Sequence, residues 1–321
     1  MSKCSLAALV LFALFGLTYA QPLNVFAAYA TAIEEPWDGV IHTALLNEEA
    51  AGRITYAFVD DIGYAGDMER ILRDVAEEQA PAVIFGDAFG NEEAVRRVAG
   101  DYPDTAFVFG SGLSPSEPNL SVFDNWIHEP AYLSGLVAGS VSESGVIGVV
   151  AGNPVPEVNR IVNAFEVGAT EANADARVLV TFINSWFDPP AAKEAALAQI
   201  DAGADVLFAE RFGVVEAAKE NGLLAFGNMS DQNSLAPETV VTGPVWDMTP
   251  TVDYVLSQVE AGSYTALDLK DFSMMAKGGA SLAPFHGFSE TLTPELLALV
   301  KTRQDEIVSG LYRVPILEET P

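Results

Sequence analysis

The stretch that decides the fold reads Val178-Leu179-Val180-Thr181-Phe182-Ile183-Asn184-Ser185-Trp186-Phe187-Asp188-Pro189-Pro190. It starts as a run of β-branched and apolar residues, which is typical of a strand buried on both faces of a parallel sheet. Two aromatic residues, an acid and two prolines follow, and a helical pattern begins at Ala191. Ligands of open α/β sheets bind beyond the carboxyl ends of the strands. We therefore expect Trp186, Phe187 or both to cover a flat ligand, with Asp188 either at its polar edge or capping the helix.

Short apolar runs alternate with helical patterns through most of the chain, which indicates β-α units and parallel sheets. We predict strands at 23–28, 53–59, 82–85, 105–109, 121–125, 146–150, 178–183, 204–208 and 223–226, with helices between them. After residue 240 the pattern predicts a helix at 249–260, a possible strand at 267–274 and a final helix at 294–309. This is an α/β fold of two Rossmann-like lobes, and a chain that crosses repeatedly between lobes forms a hinge and a cleft.

The first twenty residues are predicted to be a secretory signal peptide, with a positive start at Lys3, an apolar core and a small-x-small cleavage site at 18–20. The apolar core is too short to span a membrane comfortably, so we expect no membrane insertion of the mature chain. The single cysteine, Cys4, precedes that core, which disfavours both disulfides and a lipid anchor. The mature chain is then secreted, in a periplasm or cell envelope. We expect an N-terminal lobe from 21–127 and part of 245–290, and a C-terminal lobe from 128–244 and 291–321.

The chain is strongly acidic, with 45 Asp and Glu against 16 Lys and Arg and a net charge of −29. Nucleic acids and anionic membranes are excluded as partners, because no basic stripe exists to neutralise phosphates. The charge favours a solvated, acid-rich surface of the kind that suits high salt.

Catalytic and cofactor signatures are missing from the sequence, including the phosphate-binding, dinucleotide-binding, nucleophile-elbow and zinc-protease motifs. The histidines His42, His128 and His286 are scattered, so we expect neither a metal nor a cofactor. Carboxylate pairs for a nucleoside or glycoside hydrolase can be drawn from Asp60, Asp61, Asp188 and Asp231, but so many acids produce such pairs by chance.

Aromatic and polar residues cluster instead in loops after the predicted strands, where flat faces and hydrogen-bonding edges suit a planar heteroaromatic ligand. A loop tryptophan can equally plug the edge of a core, and Asp38, Asn91 and Asp188 can equally cap helices. The candidate binding residues are Trp37, Phe89, Gly90, Asn125, Trp186, Phe187, Asp188, Glu210, Phe212, Asn228, Asp231 and Trp246.

The chain resembles the basic membrane protein family of ABC-transporter solute-binding proteins. The segments that carry the resemblance span most of the chain in order: 35–37, 86–90, 129–135, 138–139, 148–150, 156–158, 163–165, 184–189, 203–206, 226–227, 230–232 and 282–285. Among them are Glu35-Pro36-Trp37, Gly86-Asp87-Ala88-Phe89-Gly90 and Asn184-Ser185-Trp186-Phe187-Asp188-Pro189.

The resemblance implies a monomer of the type I periplasmic binding protein fold. It would bind a purine base or nucleoside and deliver it to an ABC permease with its ATPase. The ring would stack between Trp37 or Phe89 and Trp186 or Phe212, with Asp231 as the acidic residue of the second-lobe loop. Nucleoside binders of this family carry a Ser-x-x-Lys pattern, whose lysine reaches the ribose, where this chain has Gly243-Pro244-Val245-Trp246. The site looks more like the branch of the family with Trp-Phe-Asp-Pro, which takes free bases such as adenine. A receptor subunit that senses such a ligand is the other non-enzymatic possibility.

Overall fold

The computed structural model describes residues 21–321, so the predicted signal peptide lies outside the described residues. Two parallel sheets dominate the architecture, and each is the centre of one lobe. The first-lobe strands are β1 (Leu23–Ala28), β2 (Ile54–Val59), β3 (Val83–Asp87), β4 (Ala106–Gly110) and β5 (Leu120–Phe123), and the second-lobe strands are β6 (Val146–Ala151), β7 (Arg177–Phe182), β8 (Val206–Ala209) and β9 (Leu224–Phe226).

Helices cover the sheets and connect successive strands. They are α1 (Pro36–Ala50), α2 (Asp67–Glu78), α3 (Glu92–Asp101), α4 (His128–Val141), α5 (Pro156–Ala172), α6 (Pro189–Asp201), α7 (Val214–Glu220), α8 (Thr249–Glu260) and α9 (Pro294–Val308). Proline is the first residue of α1, α5, α6 and α9, where its missing N–H costs nothing and its fixed φ suits a helix start.

The two sheets repeat one topology. The first has the strand order β2-β1-β3-β4-β5, the second has β7-β6-β8-β9, and all the strand pairs in both are parallel. The prediction of two Rossmann-like lobes is therefore confirmed. The carboxyl ends of both sets of strands face the space between the lobes, where the polar and aromatic loops lie.

The connection between the lobes contains two short strands that the sequence pattern missed. Strand β10 (Pro244–Trp246) pairs antiparallel with β11 (Ala280–Leu282), and together with residues 124–127 they carry the chain from lobe to lobe. The predicted strand at 267–274 is wrong. The chain makes a single bridge there, from Asp268 to Val122 of β5, and then turns into 3-10 helices at Lys270–Ser273 and Met275–Lys277. Residues 267–269 thus extend the edge of the first sheet. The exact lobe boundaries stay predictions.

Helices α4 and α5 pack unusually closely beneath the second sheet. A Cβ atom at Gly135 would lie 2.0 Å from the carbonyl oxygen of Phe165, and one at Gly168 would lie 2.0 Å from that of Tyr132. The small residues of α4 and α5 therefore serve helix packing. This rigid pair holds the start of α5, which faces the cleft, in a fixed position.

No helix in the described range 21–321 has the length and apolar character needed to cross a membrane.

Candidate ligand-binding site

A narrow cavity of about 30 Å³ lies between the lobes at the carboxyl ends of the strands. This volume is far below the roughly 300–1,000 Å³ of small-ligand pockets, so a ligand can enter only when the lobes move apart. Its lining combines aromatic rings, hydroxyl groups, carboxylates and one guanidinium, contributed by Thr31, Glu35, Trp37, Asp38, Tyr64, Asp87, Phe89, Ser111, Glu157, Trp186 and Arg211. A larger open groove adjoins it and shares Tyr64, Phe89, Ser111 and Glu157.

Trp37 forms the inner aromatic wall. Its indole stacks on Phe123 with ring centroids 5.7 Å apart and an angle of 15° between the planes. The ring also presses on the backbone at Gly110, since a Cβ there would lie 1.9 Å from Cη2 of Trp37. Glycine at the end of β4 is therefore required for the tryptophan to lie flat. The indole is 7% exposed, and its Nε1 has no hydrogen-bond partner.

Phe89 and Trp186 meet across the cleft. Phe89 follows β3 in the first lobe, Trp186 follows β7 in the second, and their rings contact edge to face at 5.3 Å and 89°. A flat ligand that enters between them must separate the two rings. Aromatic pairs prefer offset or edge-to-face packing, so each ring would keep a favourable partner after a planar molecule is inserted.

Arg211 ties the lobes together beside these rings. Its Nη1 donates to Oε1 of Glu35 at 2.9 Å and to the carbonyl oxygen of Trp186 at 2.8 Å, and Nη2 donates to Oε1 of Glu210 at 2.6 Å. The guanidinium also lies 5.5 Å from the centre of the Trp186 ring. Gly152 leaves room for this arrangement, and its N–H donates to the second oxygen of Glu210 at 2.9 Å. Burial alone would lower the pKa of Arg211, but the adjacent carboxylates, with Glu210 the strongest, outweigh it, so the side chain stays charged.

Three further carboxylates face the cavity without a basic partner inside it. Burial raises the pKa of Asp87 to about 7, against the lowering effect of hydrogen bonds from the Phe89 N–H and Ser111. Burial, followed by the charge of Asp87, raises the pKa of Asp38 well above its ordinary value. Burial and then Asp124 do the same to Glu157. Glu35 also has a raised pKa because burial exceeds the opposing effects of Arg211 and the Trp37 N–H.

The loops that present these groups include strained backbone. Ser111 after β4, Asn184 after β7 and Met229 after β9 have φ values of 57°, 55° and 67°, in the left-handed region that non-glycine residues rarely adopt. Such strain concentrates at ligand sites, where the surrounding structure holds it in place. These three lie in the loops that follow the carboxyl ends of the strands, which is the part of each lobe that faces the cleft.

Several residues predicted from the sequence do lie at this site. Trp37, Phe89 and Trp186 line the cavity, and Gly90 lines the adjoining groove. Glu210 lies directly behind Arg211 and is 4% exposed. Their assignment to a ligand stays a prediction.

Other predicted residues lie elsewhere. Phe187 is 54% exposed and packs edge to face on Phe212. Oδ1 of Asp188 accepts from the Ala191 N–H at 3.1 Å and caps α6, which is the alternative role that its position predicted. Phe212 and Asp231 lie along a separate groove beside α1. We therefore leave these four out of the proposed site.

The remaining three predicted residues are buried, Trp246 and Asn125 in the connection between the lobes and Asn228 in the loop after β9. Trp246 is 3% exposed and its Nε1 donates to Ser273 at 3.0 Å. Asn125 donates to the sulfur of Met229 at 3.3 Å. Asn228 lies against the backbone and carboxylate of Glu210. Of the four tryptophans, Trp37 and Trp186 thus line the cavity, Trp126 lines the adjoining groove, and Trp246 packs against Trp37 with ring centroids 5.1 Å apart.

Sequence reasoning missed most of the polar lining. The sequence placed Asp87, Glu157 and Arg211 within the family segments or strand-end loops, but it assigned none of them to the site. Helix capping was an equally predicted role for Asp38, but the cap of α1 is Glu35, whose side chain accepts from the Trp37 N–H at 2.8 Å. Thr31 and Tyr64 carried no signal beyond their position after strands β1 and β2.

The described residues contain no group of three or more His, Cys, Asp or Glu side chains arranged to hold a metal ion. The Asp231 carboxylate pairs instead with Nε2 of His286 at 2.7 Å on the surface.

Sequence relatives carry the family assignment. A provisionally named ABC transporter glucose-binding protein of Haloferax volcanii, TsgA13, is 38% identical over 62% of this chain and 51% of its own length. The chain thus spans about half of that relative. The purine-binding protein BAB2_0673 of Brucella abortus is 30% identical over 75% of this chain and 68% of its own length.

A solved solute-binding protein of an ABC transporter system from Aeropyrum pernix superposes with a TM-score of 0.77 at 18% identity, over 92% of this chain and 94% of that one. At that identity the likeness shows the fold alone. The sequence model described as the PnrA-like ABC transporter substrate-binding proteins matches residues 31–268. The chain therefore belongs to the PnrA-like family of ABC transporter substrate-binding proteins.

Proposed function

We propose that this protein is the extracytoplasmic component of an ABC importer and that it binds a purine base or nucleoside between its lobes. The observation that carries the proposal is the contact of Phe89 and Trp186 at 5.3 Å, one ring from each lobe, at the edge of the cavity. Rings on opposite lobes can close on both faces of a flat molecule. The ligand would then pass unchanged to a permease that a separate ATPase drives.

In this proposal, stacking binds the faces of the base and polar contacts bind its edge. Stacking of a base on an aromatic side chain is worth about 1–3 kcal/mol. The cavity carboxylates and the Ser111 hydroxyl would then accept or donate hydrogen bonds at the edge of the base. Closure removes these groups from water, which strengthens each hydrogen bond and makes a missing partner costly.

The names of the relatives support two ligand classes. The Brucella relative is named as a purine-binding protein and the Haloferax relative as a glucose-binding protein. Sugar hydroxyls would also suit the acidic lining, so a sugar is the second candidate. Two large rings that meet across the cleft favour the purine, because both of its flat aromatic faces can stack on them, whereas a sugar packs only its C–H groups there.

A thermal-shift panel on residues 21–321 tests the choice directly. Adenine, guanine, hypoxanthine, adenosine, inosine and glucose are each added at a concentration series. A ligand that binds the native state alone must raise Tm. A rise with purines and none with glucose supports the proposal, and the reverse result replaces the purine with a sugar. Chromatography of the recovered ligand separates binding from hydrolysis, since a hydrolase would release free base from inosine.

Trp186→Ala tests the stacking arrangement. Loss of one stacking ring should weaken purine binding by about 10- to 100-fold, as for base-stacking proteins. Phe58→Ala is the control, because Phe58 is also aromatic but is 39% exposed on β2 and does not line the cavity. Calorimetric titration measures both affinities. Equal binding by both variants would remove Trp186 from the site.

A further inference from the structure

Several carboxylate oxygens in the cavity already have protein donors. Both oxygens of Glu35 are occupied, Oε1 by Arg211 and Oε2 by the Trp37 N–H. Oδ1 of Asp87 accepts from the Phe89 N–H at 2.9 Å. These groups hold the loops in place and have less capacity left for a ligand.

Asp38 differs from these residues because one of its two carboxylate oxygens has no hydrogen-bond donor. Its Oδ2 accepts from both the N–H and the hydroxyl of Thr31, at 3.0 and 2.6 Å, which fixes the side chain rigidly. Its Oδ1 is buried and has no hydrogen-bond partner, although the residue is 1% exposed and lines the cavity. Buried polar atoms almost always have a partner, so an unpaired acceptor in a cavity calls for a donor that arrives with the occupant.

Trp37, the residue before Asp38, has an unpaired donor instead of an unpaired acceptor. Nε1 of Trp37 is also buried without a partner and belongs to the same cavity wall. Two consecutive residues of α1 that line the cavity therefore offer an unused acceptor and an unused donor. Planar nitrogen heterocycles carry both N–H donors and ring-nitrogen acceptors along their edges, which is the pattern that this pair needs.

We infer that Asp38 is the residue that determines specificity at this site, with its Oδ1 accepting an N–H from the bound base. This inference rests on the proposed function and identifies the required ligand feature, an N–H donor next to a ring nitrogen. Burial raises the pKa of Asp38, whereas an N–H donated to Oδ1 favours the ionised carboxylate, so the ligand itself supports the acceptor. A buried acceptor discriminates strongly, because a ligand without the donor leaves it unpaired. The indole N–H of Trp37 then donates to the ring nitrogen.

The experiment combines an isosteric variant with three ligands. Asp38→Asn keeps an oxygen for the two Thr31 donors and turns an NH2 toward the cavity, so shape is retained while the acceptor becomes a donor. The ligands are adenine, purine, which lacks the exocyclic amino group, and 9-methyladenine, which lacks the ring N–H. Calorimetric titration measures the affinities on wild type and variant.

Wild type should bind adenine about 10- to 100-fold more tightly than one of the two analogues, as expected when one buried hydrogen bond is lost. Asp38→Asn should bind adenine more weakly by a similar factor and should lose that discrimination. Asp205→Asn is the matched control. Its carboxylate accepts three hydrogen bonds, from Ser142, Glu143 and Ser144, where that of Asp38 accepts two, but it lies just before β8, at the end of the second sheet remote from the cavity.

The possible failures are distinguishable. If wild type binds adenine but Asp38→Asn retains both affinity and discrimination, the role of Asp38 is refuted and the proposed function stands. If wild type binds none of the three purines, both proposals fail together. If Asp38→Asn does not fold, the wild-type affinities still test the inference, because equal binding of all three ligands would refute it. Trp37→Phe then replaces Asp38→Asn as the variant. That change keeps a ring and removes the indole donor, and it should weaken adenine binding by about tenfold.

Discussion

Two buried arginines of the second lobe each pair with a carboxylate of the first, but at different distances from the hinge. Arg211 reaches Glu35 at the start of α1, while Arg160 of α5 donates to Asp124 at 2.8 Å, directly after β5 where the chain first crosses between lobes. Separation of the lobes must break the first pair. The second lies beside the pivot, so opening moves its partners little. Chemically similar pairs can therefore act as a closure latch in one place and as a hinge anchor in another.

The surroundings of the two arginines agree with this division. Arg211 lies over Trp186 and lines the cavity, so it connects closure to the stacking ring. Arg160 lies over Trp126, 5.1 Å from the ring centre, and donates to Glu318 near the C-terminus at 2.7 Å. Adjacent amides of α5, from Asn159 and Asn163, donate to backbone carbonyls of residues 317–319. The C-terminal segment is thus hydrogen-bonded to α5 on the side of the second lobe that lies next to the hinge.

The largest effect is expected from Arg211→Met. The substitution leaves Glu35 and Glu210 without a cation in the closed cleft, and breaking a buried pair in this way costs about 3–5 kcal/mol. The lobes can avoid that cost by opening, so ligand affinity should fall by at least about 100-fold while Tm changes less. Calorimetry measures the affinity, and small-angle X-ray scattering measures the expected increase in radius of gyration. Affinity within threefold of wild type would contradict a latch.

Arg160→Met should affect stability more than binding. Asp124 keeps two other donors, the Asn125 N–H and Nε1 of Trp126, so the loss is smaller, about 1–3 kcal/mol. Urea unfolding measures it, with Arg303→Met as a control because Arg303 pairs with Glu171 on the outer face of the same helix. If Arg160→Met instead abolished ligand binding at unchanged stability, the two arginines would have the same function.

The pH dependence of the free energy of unfolding should distinguish the cavity carboxyls from the hinge pair. The pKa of Asp87 is raised from 3.8 to about 7, so between these values the folded protein holds a proton that the unfolded chain has released. Its contribution to the free energy of unfolding is therefore greatest below about pH 4, falls as the pH rises to about 7, and is constant above. Asp87→Asn should flatten this part of the profile, as measured by urea unfolding from pH 4.5 to 8. Parallel profiles for wild type and variant would show that the cavity carboxyl does not titrate in this range.

The smallest effect is expected from Glu318→Gln. This side chain is 45% exposed, so solvent screens its pair with Arg160 and the loss should be about 1 kcal/mol or less. Deletion of residues 316–321 should cost more, because Asn159 and Asn163 then lose their carbonyl partners as well. Both are compared by urea unfolding. An equal loss from the substitution and the deletion would show that the ion pair, rather than the backbone contacts, holds the tail.

Much of the fold could be predicted because its signals are local. The strand from residue 178 to 183 in the prediction runs from Arg177 to Phe182 in the structure, and the helix predicted at 249–260 has those bounds. Apolar runs, proline at helix starts and glycine at turns each act through neighbouring residues. The error at 267–274 arose because a run containing Leu269, Phe272 and Met274 is apolar enough for a strand, but it packs as 3-10 turns against β5.

The site was less predictable because its members are far apart in the chain. Trp186 and Phe187 are adjacent and equally aromatic, yet one lines the cavity and the other is exposed on the surface. Arg211 and Glu35 are separated by 176 positions, and nothing local indicates that they pair. The alternation of apolar and helical segments by itself determined two parallel-sheet lobes with functional loops at their facing ends, since those patterns report burial and backbone preference. The tertiary structure alone decided which rings meet, which carboxylates lose water and which acceptor stays unpaired, because these depend on how the two lobes approach each other in space.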